Sequence, residues 1–377
     1  MATLDDLPLR DDLRGQRPYG APQDAVRVSI NVNENPFPVP EQVVEHVLES
    51  IRTVLPGLNR YPDREFVLLR EKLAEYLGHG VTPEQIWAAN GSNEVLQHLL
   101  QAFAGPGRSV LGFRPTYSMY PLLSAGVGST WIDAERDADF ELTAATVVRE
   151  IERHDPDVVI LCAPNNPTGT PVDLDVIAAA YGAFDGVLIV DEAYGEFQPE
   201  GTPSALELLP GRERLVVSRT MSKAFAYAGA RLGYFAADPA VVDAVRLVRL
   251  PYHLSAITQA AACGALECVD IMLAEVDRIR IQRDRLLDEL PKLGYRPYRS
   301  TANFVTFGGV ADPAAMFDEF RRRSILIRDN GLPGCLRVTA GTEEETTLFL
   351  DALAEITAER PELRAASTIP QPKEPEA

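Results

Sequence analysis

"RTMSKAFAYAGARLG", residues 219–233, holds one lysine, two arginines, three hydroxyl residues and two glycines among small or apolar neighbours. A solvated helix would carry more charge and a core helix none. Lys223 follows Thr220 and Ser222, precedes the apolar run Ala224-Phe225-Ala226, and has Arg231 eight residues on. Such surroundings desolvate an amine in part, and desolvation lowers a lysine pKa and makes it a nucleophile. The alternative is a surface lysine. The stretch directly follows "RLVVS" (214–218), a β-rich run, so it reads as the loop beyond a strand end.

Working outward, similar runs recur: "SVLGF" (109–113), "DVVILCA" (157–163), "GVLIVDEAY" (186–194), "LGYFAA" (232–237) and a short one at 86–89. Helix-length stretches separate most of them. Near-continuous apolar strands alternating with helices predict an α/β fold with a mostly parallel sheet covered on both faces. Ligands in such sheets bind beyond the carboxyl ends of the strands. "NGSNE", "PTYSMY", "APNNPTG", "DEAY" and "SRTMSK" all fall there.

Each cluster has a plain alternative. Gly91-Ser92-Asn93 precedes a helix and offers backbone N–H groups to an anion, or is an ordinary N-cap. Asn165 to Gly169 taken alone is a turn. Asp191 ends an apolar strand, as a cap or as a charge held for a cation. Together they suit one cofactor. Pyridoxal phosphate requires a Schiff-base lysine, a phosphate cup and a carboxylate at its pyridine nitrogen.

The rest of the chain frames these motifs. Residues 1–36 read as an extended arm, 37–285 as a large domain opening with a helix at 40–54, and 286–360 as a small α+β domain. Residues 255–290 are expected to contain a long amphipathic helix, and Thr342 with Glu345 forms a capping box for the last helix. Residues 361–377, with four prolines, are expected to be disordered. Net charge is −19, which argues against nucleic-acid or acidic-membrane partners. The four cysteines lack metal-binding spacing, so no metal is expected, and a cytoplasmic, reducing setting is. The N-terminus lacks the apolar stretch of a signal peptide.

"TMSKAFAYAGARLG", "APNNPTG" and "VDEAY" resemble, in order and spacing, the fold-type I aminotransferases dependent on pyridoxal phosphate, over roughly residues 10–355. More narrowly, "RPYGAPQ" (17–23), "NVNENPF" (31–37), "RYPD" (60–63), "LPYHLS" (250–255), "ILIRD" (325–329) and "LRVTAGT" (336–342) are similar to the histidinol-phosphate aminotransferases. The resemblance implies a seven-stranded sheet and a homodimer with shared active sites. It implies that Lys223 forms the Schiff base and shuttles the proton. Asp191 would pair with the ring nitrogen, Tyr194 and Asn165 would bond the ring hydroxyl, and Tyr117 would stack on the ring. Ser92, Asn93, Thr220, Ser222 and Arg231 would hold the phosphate, joined by Tyr61 of the neighbouring subunit. Arg337 and Arg328, helped by Tyr19, would bind the substrate anion, Arg328 having adjacent Asp329 as an alternative partner. Asn33, Tyr120 and Tyr252 would contact substrate, with core packing the alternative for Tyr120. The implied reaction exchanges an amino group between L-histidinol phosphate and 2-oxoglutarate in L-histidine biosynthesis. An aromatic (phenylalanine) aminotransferase is the alternative.

Overall fold

The computed structural model describes residues 3–11, 14–15, 20 and 22–365. The N-terminal segment contributes a short strand β1, Val28–Ser29. Then come β2 (Ile86–Ala89), β3 (Ser109–Arg114), β4 (Thr130–Glu135), β5 (Val158–Cys162), β6 (Val187–Asp191), β7 (Leu215–Thr220) and β8 (Gly233–Ala237). These seven form one sheet in the order β2-β8-β7-β6-β5-β3-β4. Every residue of β2, β5, β6 and β8 is buried, as strands covered on both faces require.

Only β8 runs against the others, pairing antiparallel with both β7 and β2. The reason is local. Residues 221–232 form a compact excursion with a 3₁₀ turn at Ala228–Ala230 and no crossover helix. Without a crossover the chain can only return antiparallel beside the strand it left. This return sets Gly233 opposite Ala89. Arg231 therefore meets the loop that follows β2, at the edge where β3, β5, β6 and β7 also end.

Beyond residue 290, β9 (Arg296–Pro297), β10 (Phe304–Gly308) and β12 (Cys335–Thr339) form an antiparallel sheet, while β11 (Ile325–Leu326) pairs in parallel with β1. The N-terminal segment is thus part of the C-terminal architecture. Ile30 extends the join, its N–H donating to Leu326 and its carbonyl accepting from Thr339.

The segment 255–290 holds a shorter helix, Ala256–Leu266, and then the expected long one, Val269–Lys292, bent from it by 76°. The bend falls at Glu267-Cys268, where Cys268 leaves helical geometry. The first helix is rich in small residues and packs against Glu41–Val54; a side chain at Gly264 would press 2.9 Å from Val47 Cα. Two expectations change. The second helix runs through residue 285, so the expected large-to-small boundary lies inside a continuous helix. The disorder expected from 361 does not hold for the first residues of that segment: Pro361–Leu363 form a 3₁₀ turn with Leu363 buried, and Arg364 bridges Val310. Residues 366–377 lie outside the described residues. The capping box at Thr342 and Glu345 is present, at 3.2 and 2.8 Å. Among the described residues, no single helix is long and apolar enough to cross a membrane.

Candidate active site

Lys223 lies just past β7, and its Nζ donates to the Val32 carbonyl at 3.1 Å. Burial, reinforced by the Arg337 charge, pushes the amine down to about 8, with Glu34 opposing. Nearby, Asn35 Nδ2 donates to the Ala224 carbonyl at 3.2 Å. The segment 31–35 thus lies against the lysine loop.

Asp191 ends β6 and is buried. Its Oδ1 accepts from Ser218 Oγ and the Ala193 N–H, both at 3.2 Å, and its Oδ2 accepts from Tyr120 Oη at 2.7 Å. Burial raises its pKa, and these donors oppose that rise. Tyr120 is completely buried, so of its two readings core packing fits and the substrate pocket does not: its hydroxyl is spent on Asp191. Tyr117 meets the edge of that ring at 5.4 Å and donates to Asn93 Oδ1 at 3.3 Å.

The candidate phosphate cup has a recognisable chemistry. The helix Ser92–Phe103 begins after Gly91, which sits at φ 84°. A side chain there would strike the Arg231 guanidinium, and one at Gly233 would strike the Ser92 N–H. Both glycines are needed for this close approach. A guanidinium against the positive end of a helix is unfavourable unless an anion joins them. Ser222 N–H donates to Thr220 Oγ1 at 3.1 Å, and the two hydroxyls lie 3.0 Å apart. Cationic arginine, helix N-terminus and paired hydroxyls suit a phosphate, and the buried amine and carboxylate suit the rest of pyridoxal phosphate.

At the far side, Tyr194 Oη accepts from Asn33 Nδ2 at 3.0 Å and Asn166 Nδ2 at 3.2 Å. Burial raises its pKa, with Arg337 and Asn33 opposing. Asn33 is buried at φ 58°, its amide divided between Tyr194 and Thr339. It supports Tyr194 rather than facing a substrate. Asn165 also departs from expectation. Its amide donates to the Pro115 carbonyl and Thr168 Oγ1 at 2.9 and 2.8 Å, and accepts from Thr116 at 3.2 Å. That pins the turn. The neighbouring Asn166, which the sequence reading passed over, touches both Tyr194 and Arg337. The doubled asparagine of "APNNPTG" was the available signal.

Arg337 is buried in β12; Nη1 donates to Asn166 Oδ1 at 2.6 Å and Nη2 to the Asn31 carbonyl at 2.8 Å. Arg328 stands directly opposite it, joined by two backbone bonds of 2.9 Å. Directly opposed residues project to one face of a ladder, so the two cations share a side. Tyr61 and Tyr252 are brought together with each other, stacked at 4.5 Å and 13°, and are 79% and 39% exposed. Neither has a hydrogen bond or ring contact with the Lys223 cluster among the described residues. The Asn90 amide, beside the cup, donates to the His253 carbonyl at 2.9 Å, which puts the pair near the cup's rim. Tyr19 lies outside the described residues.

The comparisons agree with this chemistry. Residues 27–353 match the family described as aminotransferase class I and II. A histidinol-phosphate aminotransferase of Paenarthrobacter aurescens is 57% identical over 93% of this chain and 95% of its own length. That of Thermobifida fusca is 53% identical over 93% and 96%. Among solved structures, the histidinol-phosphate aminotransferase of Sinorhizobium meliloti in complex with pyridoxal 5'-phosphate superimposes with a TM-score of 0.79 at 26% identity, covering 89% of this chain and 92% of that one. The aspartate aminotransferase of Thermus thermophilus with maleate gives 0.75, also at 26% identity, covering 87% and 91%. The chain belongs to the class I and II aminotransferases, among the histidinol-phosphate aminotransferases of that family.

Proposed function

We propose that this protein is a pyridoxal-phosphate-dependent histidinol-phosphate aminotransferase. It moves an amino group reversibly between L-histidinol phosphate and 2-oxoglutarate, yielding imidazole acetol phosphate and glutamate, as a step of L-histidine biosynthesis. The observation that carries this reading is the pair of opposed arginines, Arg328 and Arg337, on the Lys223 side of the molecule, where Arg337 depresses the lysine pKa. Two guanidiniums suit a phosphate in one half-reaction and the glutamate carboxylate in the other.

Pyridoxal phosphate supplies a carbonyl that condenses with amines and a ring that withdraws electrons from the substrate Cα when its nitrogen is protonated. Lys223 is the group that would hold it covalently. With its pKa near 8, the lysine amine is accessible in neutral form as nucleophile and as proton carrier. Asp191 would hold the ring nitrogen. Tyr194 and Asn166 would replace the expected Tyr194 and Asn165 pair at the ring hydroxyl, because both N–H groups of the Asn165 amide are engaged. Tyr117 would cover the ring, and Ser92, Asn93, Thr220, Ser222 and Arg231 would bind the phosphate. Asn31, Asn33 and Asn166 orient Arg337 and Tyr194.

The exposed Tyr61 supports a homodimer in which each subunit lends this tyrosine to its partner's cup. In that assembly the stacked Tyr252 belongs to the same rim, and Tyr19, outside the described residues, remains the proposed third ligand of the substrate phosphate. A cytoplasmic setting fits four buried, unpaired cysteines. Purified protein should be yellow and should carry the cofactor on Lys223 after borohydride reduction, read by peptide mass spectrometry. Label on any other lysine would remove the assignment.

A further inference from the structure

Asp191 is held from three elements. Ser218 reaches it from β7, the Ala193 N–H from its own strand end, and Tyr120 from the helix Met119–Gly126. The Tyr120 bond is the shortest, at 2.7 Å. An ionised carboxylate offers about four acceptor positions. Oδ1 takes two donors; Oδ2 takes Tyr120 and keeps a second lone-pair direction. A ring nitrogen bonded to Asp191 would therefore share Oδ2 with Tyr120.

That sharing has a chemical consequence. In a buried site a pyridinium–carboxylate ion pair competes with the neutral pair formed when the proton passes to the carboxylate. Desolvation favours the neutral pair. Hydrogen bonds donated to the carboxylate favour its charged form. Resting on the assignment of Asp191 to the ring nitrogen, we propose that Tyr120 is a positioning residue for this reaction: its hydroxyl, donating to Asp191 Oδ2, keeps the shared proton on the ring nitrogen rather than on the carboxylate.

The surroundings suit such a role. Burial holds the Tyr120 phenol well above its ordinary range, so it remains a donor. Cys162 lies beside Asp191 in the neighbouring strand, and burial pushes its thiol up to about 12, leaving it neutral. Glu192 follows in sequence and raises the Asp191 pKa by its charge. Arg136, whose Nε donates to the Phe113 carbonyl at 3.2 Å, is the buried cation facing Tyr120 and Cys162. Packing alone would be served by phenylalanine. A buried hydroxyl is retained where it has a partner to serve.

The test uses holoenzyme loaded with pyridoxal phosphate carrying ¹⁵N in the ring, with the nitrogen signal followed by NMR between pH 6 and 9. Wild type should show a protonated nitrogen and Asp191→Asn an unprotonated one. Tyr120→Phe should move clearly toward the Asp191→Asn signal. Ser218→Ala, which removes a longer bond, should move it less in the same direction. kcat of Tyr120→Phe should fall roughly tenfold with KM within about twofold, because the electron sink matters in the transition state. In cofactor-free protein, the Asp191 carboxylate followed by infrared difference spectroscopy should titrate about one pH unit higher in Tyr120→Phe. A Tyr120→Phe ring signal identical to wild type, with Asp191→Asn shifted, would overturn the role of Tyr120 alone, whatever the loss of thermal stability. A signal unmoved in Asp191→Asn would remove the assignment of Asp191 and this proposal with it.

Discussion

Arg337 of β12 and Asn166 of the loop beyond β5 are bonded although 171 residues apart in sequence: Nη1 donates to Oδ1 at 2.6 Å. The same asparagine donates through Nδ2 to Tyr194 at 3.2 Å. One amide therefore links the proposed anion-binding arginine to the proposed ring-binding tyrosine. Asn166→Ala should lower kcat/KM by roughly 10²-fold, since it removes a charge-assisted bond and a neutral one together. Asn165→Ala should act differently. Its buried amide ties Pro115, Thr116 and Thr168, so the loss should be about 2–4 kcal/mol of stability. Thermal melts beside steady-state kinetics separate the two. The account fails here if Asn166→Ala keeps wild-type kinetics.

Arg337→Lys keeps the charge and loses the planar fork that serves Asn166 and Asn31. kcat/KM for the phosphorylated substrate should fall about 10²–10³-fold. Arg328→Gln, at the half-buried partner, should cost less. Equal losses in both variants would contradict the geometry, in which Arg337 is buried and held by Asn166 and Asn31 while Arg328 is only half-buried.

Lys223 has its pKa lowered to about 8 in the folded chain, against 10.5 for an ordinary lysine. Between those values the unfolded chain binds the extra proton, so folding stability from this group rises with pH from about 8 to 10.5 and is lowest below 8. In cofactor-free protein, Lys223→Met should be about 1–3 kcal/mol more stable at pH 7 and should lose that part of the pH slope. Denaturant melts across this range measure it. An unchanged slope would mean that the amine is not held in a depressed state. The same variant should have no transaminase activity.

The exposed Tyr61 gives a test of assembly. Lys223→Ala and Tyr61→Asp should each be inactive, the second by setting a negative charge against the phosphate. Mixed dimers made by co-expression hold one site with both defects and one with none. About half the dimers are mixed, so about a quarter of all sites should recover. Verified mixed dimers without activity would leave Tyr61 outside the partner's cup.

Much of this was legible because strand and loop signals coincide in the sequence. "VLIVD" and "LVVSRT" are apolar runs that end in the very residues placed at the sheet edge, so Asp191, Thr220, Ser222 and Lys223 could be located from pattern alone. Local chemistry also carried the Thr342–Glu345 cap. What escaped depends on which way a side chain turns. Asn165 and Asn166 are identical in sequence terms, and only the turn's path decides that one points inward to Pro115 and the other to Arg337. Tyr120 and Tyr117 share one aromatic motif, yet a helix start between them buries the first against Asp191. The break at Cys268 is invisible to periodicity because the helix before it is small and apolar nearly all round, and no proline or glycine stands at Glu267-Cys268 to mark the junction.

The central claim is that an anion-reading site built on Arg337 and Arg328 serves amino transfer from a phosphorylated imidazole substrate. Its most direct test is kcat/KM of the purified enzyme for L-histidinol phosphate, L-histidinol and L-phenylalanine, each with 2-oxoglutarate. A site made for an anion is left with unpaired charges when the anion is missing. Histidinol phosphate should exceed both others by at least about 10²-fold. Phenylalanine turned over with equal or greater efficiency would contradict the account and make the protein an aromatic aminotransferase.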